Sequence, residues 1–334
     1  MKVAVIGAGS WGTAVASLAA ENEPTTLWAR RAELAADIRD RHVNTAYLPD
    51  VVLPDTLHST ADLEEAVDGA DVVVMGVPSH GFRDVLKEAR AHIADGVPIV
   101  SLTKGVEQST LARMTQVIDE VCPGRPSGVL TGPNLAKEVM AGYPAASVVA
   151  FDDNDTAVAL QHLFSTDAFR VYTNTDVVGC EVAGALKNVM AIAAGIADGM
   201  AFGDNTKAAL ITRGLAELAR LGIALGGEPL TFSGLAGMGD LIATCISPQS
   251  RNRHVGVELG KGRPLHEITD EMKMVAEGVK TSRAVVDLAA RHRVEMPIAE
   301  QVVAVLYEGK QAADLVPALM HRVQKAELHG IAGQ

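Results

Sequence analysis

The sequence predicts an α/β chain in two parts, a doubly wound sheet over residues 1–176 and an all-helical C-terminal domain over residues 177–334. Three observations predict it. Short β-rich runs alternate with helix-length segments from Lys2 to about Asn174. Those runs are apolar on both faces, which suits a parallel sheet covered by helices on each side. After Asp176 the strand signals vanish, and long Ala-, Leu- and Gly-rich segments take over.

The expected strands are Val3–Ile6, Thr25–Ala29, Asp71–Gly76, Pro98–Leu102, Gly128–Thr131, Ala146–Ala150 and Phe169–Tyr172. Their β–α–β order implies right-handed crossovers. The expected helices of the second part are Val178–Met200, Thr206–Leu225, Val255–Gly260, Ala276–Arg291 and Ile298–Glu308. No internal repeat or low-complexity linker separates the parts, so they are expected to pack directly. A cleft between them is then the default ligand site.

Composition narrows the class. The 334 residues suffice for about two domains, and 48% are hydrophobic, enough for a large core. The formal net charge of −12 makes the chain a poor general binder of nucleic acid or anionic membrane. Anionic ligands must be met by a few local cations. The first strand starts at Lys2, so no signal peptide is expected. The most apolar stretch, Val182–Phe202, carries Lys187, Asn188 and Asp198 and is not expected to span a membrane. Cys122, Cys180 and Cys245 are scattered and odd in number, which reads as isolated reduced thiols in a cytoplasmic protein.

Gly7-Ala8-Gly9-Ser10-Trp11-Gly12 fits GxGxxG between the first strand and a helix opening near Trp11. In that setting the motif is specific. Gly7 permits the tight turn, Gly9 lets the backbone approach a pyrophosphate, and Gly12 lets helix pack on strand. The helix N-terminus offers N–H groups and a positive dipole end to phosphates. The alternative is a purely structural turn. The whole is therefore a Rossmann-type doubly wound sheet. The second strand ends in Arg30-Arg31, with no acid before Glu33. An acid there would favour NAD, whereas arginine accommodates a 2′-phosphate. NADPH is thus expected to be accepted and preferred over NADH, unless both arginines simply face solvent. Pro78-Ser79 follows DVVVMGV; Ser79 reads equally well as a helix N-cap and receives no chemistry.

Lys104 closes Ser101-Leu102-Thr103-Lys104 at the carboxyl edge of the sheet, where ligands of such folds bind; a solvent-facing lysine is the alternative. Thr131-Gly132-Pro133-Asn134-Leu135-Ala136 ends the next strand. Gly132 permits close approach of a ligand, and Asn134 either caps a helix or donates to an anion. Lys187 lies inside an apolar helix. Gly184, Lys187, Asn188, Ala191 and Gly195 share one of its faces. A lysine beside an apolar cleft can exchange a proton near neutral pH; a snorkelling lysine is the bland reading. Asp240 ends a second Gly-rich loop, Gly234-Leu235-Ala236-Gly237-Met238-Gly239, and either orients Lys187, binds a substrate hydroxyl or N-caps the next helix. Ser250-Arg251-Asn252-Arg253 offers donors suited to phosphate, or is an exposed loop.

GAGSWGTAVA, LTKGVE, GPNLAKEV, ALKNVMAIAAGIADG, GLAGMGDLIATC, SRNR and VAEGVKT follow one another in this order. Together they resemble the bacterial NAD(P)-dependent glycerol-3-phosphate dehydrogenase family, nearly end to end. The resemblance implies reversible conversion of dihydroxyacetone phosphate to sn-glycerol 3-phosphate, which feeds phospholipid synthesis. It implies that Ser10, Trp11, Arg30, Arg31 and Ala136 contact the cofactor, reached also by Val275, Glu277 and Arg251. Lys104 would touch cofactor and substrate. Gly132 and Asn134 would line the substrate site, with Asn188, Asp240, Ser250, Arg251 and Asn252 around it. Lys187 would donate or accept the proton. Family members commonly carry Ser or Thr where this chain has Asn134, which puts the detail of that contact in question.

No metal is expected, since the sequence holds no HxxxH, Cys/His pair or dense carboxylate cluster. The competing readings are a β-hydroxyacid or 6-phosphogluconate type dehydrogenase and a non-catalytic NAD(P)H sensor. GLAGMGD with SRN disfavours the first. The set Lys104, Lys187 and Arg251 would be needless in the second. A small phosphate substrate and a homodimer complete the expectation.

Overall fold

The computed structural model describes residues 1–272, 276–327 and 329–330. The chain divides into two compact units, Met1–Thr103 with Ala112–Val177, and Lys104–Leu111 with Val178–Gln334. Lys104–Leu111 groups with the helical unit although it follows a sheet strand almost directly.

The first unit holds β1 (Val3–Ile6), β2 (Thr25–Trp28), β3 (Val43–Asn44), β4 (Leu48–Val52), β5 (Leu57–Thr60), β6 (Val72–Met75), β7 (Ile99–Ser101), β8 (Ser127–Thr131), β9 (Ala145–Phe151) and β10 (Phe169–Asn174). Eight of them form one sheet in the order β10-β9-β8-β7-β6-β1-β2-β5, and β3 pairs with β4 apart from it. Alternation along each strand sends side chains to opposite faces. Val3, Val5, Val72, Val74 and Val100 enter one core, and Ala4, Ile6, Val73, Met75 and Ile99 enter the other. The sheet is buried on both faces, as its apolar runs require. The strand order reverses at β1, which lies between β6 and β2, so the loop after β1 sits at the switch point where ligands of such sheets bind.

Two features depart from the expected strands. β9 runs antiparallel to β8, with Thr131 opposite Val148. The connection between them holds only the five-residue helix Ala136–Met140, too short to cover a sheet face as a crossover, so the chain turns back. The other departure is the three strands between Val43 and Thr60. They are short or polar: β5 reads Leu-His-Ser-Thr, with only His58 exposed.

The described helices of the second unit include Val177–Gly199, Asp204–Ala224, Asp240–Ile246, Arg251–Gly260, Leu265–Glu271, Glu277–Arg291, Pro297–Tyr307 and Leu315–Met320. Val177–Gly199 has the length and hydropathy of a membrane span, but 94% of that apolar window is buried within the protein. It is the core helix. The Gly-rich segment before Asp240 is not an open loop. Leu235–Gly239 forms a π-helical turn that runs directly into Asp240–Ile246. A Cβ on Gly237 would stand 2.2 Å from the Phe232 carbonyl oxygen, so glycine is required there.

Helix Val177–Gly199 crosses helix Arg251–Gly260 backbone to backbone. A Cβ on Gly195 would lie 2.2 Å from the Arg253 carbonyl oxygen, and one on Gly256 would lie 2.1 Å from that of Ile192. Gly199 and Gly260 repeat the contact one turn on. The face of Lys187 that the sequence left open for a ligand or another backbone is, at Gly195, filled by backbone.

Candidate active site

Lys104, Lys187 and Asp240 meet in the helical unit. Asp240 takes αR dihedrals and begins its helix, so it is not an N-cap. One carboxylate oxygen accepts from Lys104 Nζ at 2.7 Å, and the other accepts from Lys187 Nζ. Lys187 Nζ also donates to Thr244 Oγ1 at 2.5 Å, while that hydroxyl donates to the Asp240 carbonyl at 2.6 Å. Thr244 lies one turn after Asp240, which puts both on the face turned to Lys187. Lys187 is 5% exposed and Asp240 1%. Burial drives the Lys187 ammonium down to about 7; Asp240 opposes the shift and Lys104 adds to it. A lysine so placed gains or loses a proton at neutral pH. Cys245 in the same helix is no nucleophile, because burial pushes its thiol up to about 12.

An amide ladder ties four segments around this centre. Asn188 Nδ2 donates to the Lys104 carbonyl at 3.2 Å, and Asn188 Oδ1 accepts from Asn252 Nδ2 at 2.9 Å. Asn252 Oδ1 accepts from the Gly278 N–H at 2.9 Å. Ser250 is the N-cap of Arg251–Gly260 and accepts from the Arg253 N–H at 3.2 Å. Arg251 stands at the first position of that helix; burial lowers its guanidinium from the usual arginine value, and Glu277 opposes the shift. Arg253 is bound to Asp198, which also holds Lys207. Val275 lies outside the described residues.

The phosphate loop is in the first unit. Gly7 has φ +117°, and a Cβ there would lie 2.7 Å from the Gly76 carbonyl oxygen. One on Gly12 would lie 2.0 Å from the Gly7 carbonyl oxygen. Gly9 differs. Its φ is −72°, and a Cβ would meet nothing within 4 Å. Neither strain nor packing calls for glycine at that position, while a pyrophosphate lying on the backbone would. Among the described residues, no side chain caps the helix Ser10–Asn22, and the buried Trp11 Nε1 has no hydrogen-bond partner. These residues fit a dinucleotide phosphate. Arg30 and Arg31 are exposed at the end of β2. Ser79 is the first residue of its helix rather than its cap.

Gly132, Asn134 and Ala136 lie on the β8–β9 connection, also in the first unit. Leu135, not Asn134, caps Ala136–Met140. Asn134 Nδ2 donates to Ser147 Oγ at 3.2 Å, and Ser147 Oγ donates to the Thr131 carbonyl at 2.7 Å. With its proton so placed, Ser147 can only accept from Asn134, which fixes the amide orientation. The atom left over is Asn134 Oδ1, buried and unpartnered among the described residues. It is an acceptor, suited to a hydroxyl rather than to an anion. Thr244, Ser147 and Asn44 were not singled out from the sequence; only the spacing of Thr244 from Asp240 could have pointed to one of them.

A sheet with a glycine phosphate loop at its switch point, followed by a helical unit with a buried Lys–Asp–Lys centre, defines a dinucleotide-dependent oxidoreductase. The chain belongs to the NAD(P)-dependent glycerol-3-phosphate dehydrogenase family. Residues 2–157 match the model of the NAD-dependent glycerol-3-phosphate dehydrogenase N-terminus, and residues 176–317 match that of its C-terminus. Glycerol-3-phosphate dehydrogenase [NAD(P)+] 2 of Sphingopyxis alaskensis is 56% identical, covering 98% of this chain and 99% of the relative. The Mycobacterium avium glycerol-3-phosphate dehydrogenase [NAD(P)+] is 52% identical, covering 98% and 97%. The crystal structure of glycerol-3-phosphate dehydrogenase from Coxiella burnetii superposes with a TM-score of 0.92 at 37% identity, covering 96% of this chain and 99% of that one.

Proposed function

We propose that this chain interconverts dihydroxyacetone phosphate and sn-glycerol 3-phosphate with NADPH or NADH, supplying glycerol phosphate for phospholipid synthesis. The observation that carries the reading is the Asp240 carboxylate shared by Lys104 and the buried Lys187. The dinucleotide-binding residues of the first unit are Gly7, Gly9, Ser10, Trp11 and Gly12, with Arg30 and Arg31 at the adenosine 2′-phosphate; Ala136, Arg251, Val275 and Glu277 are further cofactor residues carried over from the family resemblance. The dinucleotide supplies the hydride. Lys187 protonates the oxygen that becomes the C2 hydroxyl, and takes that proton back in the reverse direction. Lys104 adds positive charge beside the same oxygen. Asp240 and Thr244 fix the Lys187 ammonium in direction. Arg251 holds the substrate phosphate with Ser250 and Asn252 near it, which orients the ketone. Gly132 and Asn134 line the substrate site, Asn134 through its Oδ1.

The chain is proposed to work in the cytoplasm, where its three buried free cysteines would stay reduced. It is proposed to act as a homodimer. Met238, Ile242 and Ile246 are exposed at one-turn spacing, and Leu230 is exposed as well; a second copy would cover such apolar side chains, and a monomeric mass by light scattering removes that assembly.

The decisive assay is loss of NADPH absorbance on adding dihydroxyacetone phosphate, with NADH in parallel. Rapid oxidation of NADPH supports the reaction and the two arginines. Oxidation of NADH alone keeps the reaction and overturns the cofactor preference. Turnover of hydroxyacids instead would point to the related hydroxyacid dehydrogenases.

A further inference from the structure

The β3–β4 hairpin holds no residue assigned a role above, yet it is bonded to the phosphate loop. The buried Asn44 donates from Nδ2 to the Ala8 carbonyl at 3.0 Å and to Thr13 Oγ1 at 2.8 Å. Its Oδ1 accepts from the Tyr47 N–H at 3.1 Å. Carbonyl on one side and N–H on the other leave the amide one orientation. Asn44 therefore locks the middle of Gly7-Ala8-Gly9 to the backbone of Tyr47. The Ser10 hydroxyl reaches the Tyr47 carbonyl at 3.4 Å, a second and weaker tie.

The Tyr47 ring packs partly buried on the core of the first unit. The guanidinium carbon of Arg31 lies 5.9 Å from its centroid, within reach of a cation–π contact. Arg31 is exposed and stands at the N-cap of helix Ala32–Arg41. A long exposed side chain samples many rotamers and loses that freedom on gripping a ligand. A ring beneath the guanidinium removes part of this loss beforehand. Arg170 over Tyr172 and Arg283 over Tyr307 show that stacking alone assigns nothing. The Arg31 pair differs because the peptide of Tyr47 is bonded into the phosphate loop.

We infer that Tyr47 is a positioning residue for cofactor specificity: its ring holds Arg31 where the adenosine 2′-phosphate of NADPH falls, and Asn44 sets that ring relative to the phosphate loop. This rests on the dinucleotide reading above. NADH lacks the 2′-phosphate, so the pair should matter to one dinucleotide and hardly to the other.

The test is a double-mutant cycle on dinucleotide Kd, measured by calorimetry, with thermal melting to confirm folding. Tyr47→Leu should raise the NADPH Kd about three- to fivefold and leave the NADH Kd nearly unchanged. Tyr47→Phe keeps the ring and should bind like the native chain. In an Arg31→Ala background, Tyr47→Leu should add nothing further. If Tyr47→Leu lowers the melting temperature, Tyr47→Met serves in its place. Equal losses for both dinucleotides, or the same loss with and without Arg31, overturn the inference. A selective loss in Arg31→Ala with none in Tyr47→Leu overturns the role of Tyr47 alone. An unchanged NADPH Kd in Arg31→Ala overturns the reading of Arg31 itself, and the role of Tyr47 with it.

Discussion

The phosphate loop and the Lys–Asp–Lys centre are built on opposite principles. The loop is made of backbone: Gly7, Gly9 and Gly12 matter for what they lack. It is contained in six consecutive residues, and its geometry follows from strand, turn and helix in sequence order. The centre is made of side chains from Lys104, Lys187 and Asp240, which are 53 or more residues apart in the chain. Its chemistry depends on burial and on the order in which charges meet, neither of which any local spacing encodes. A backbone site tolerates change where nothing of the protein touches it. A buried charge cluster does not tolerate the loss of a member, because each leaves the others uncompensated.

The largest expected effect separates the two regions. Lys187→Ala should cut kcat by about 10²- to 10⁴-fold, the usual share of a general acid, while dinucleotide Kd stays as it was. An equal loss of dinucleotide binding would show the regions to be one functional unit, and normal turnover would remove Lys187 from the mechanism.

A smaller effect comes from pH. Lys187 carries its proton below about 7. Ketone reduction consumes that proton, so kcat/KM for reduction should be flat below about 7 and fall up to tenfold per unit above it. Oxidation needs the neutral amine, so its rate should rise up to about 7 and then level off. Asp240 holds the Lys187 value up, and Asp240→Asn should move both profiles to lower pH. Profiles that keep their position in that variant would assign the titration to another group.

The smallest effect sharpens the other side. Gly9→Ala meets no protein atom and no forbidden φ. Its thermal stability should change by no more than roughly 0.5 kcal/mol, whereas its affinity for NADPH and NADH should fall together. A stable variant with undiminished binding would mean that phosphates do not approach the backbone at Gly9.

The same contrast explains what the sequence made legible. β1, the loop and the following helix could be placed because their signals are local. Lys104, Lys187 and Asp240 were each ambiguous by position, and only the ordered motifs of a family favoured one reading of each. The antiparallel turn into β9 was hidden because Ala145–Phe151 has the same apolar pattern in either direction. β5 was hidden because an edge strand needs few apolar residues. The π-helical turn at Leu235–Gly239 was hidden because three glycines in seven residues read as loop until Phe232 is seen beneath Gly237. Asn44 was hidden because the two groups its Nδ2 reaches lie 36 and 31 residues away.

The glycine crossing of helices Val177–Gly199 and Arg251–Gly260 also couples the stability of the two helices. Glycine inside a helix costs roughly 0.5–1 kcal/mol relative to alanine. Gly195 and Gly256, inside the two helices, weaken each segment while they are apart. Docking offsets that loss for both helices at once, so each is expected to gain protection from hydrogen exchange as the other packs against it. Arg251 and Asn252 ride on one partner, with Lys187 and Asn188 on the other. Loosening the crossing is therefore expected to disturb the Lys187 and Arg251 segments together.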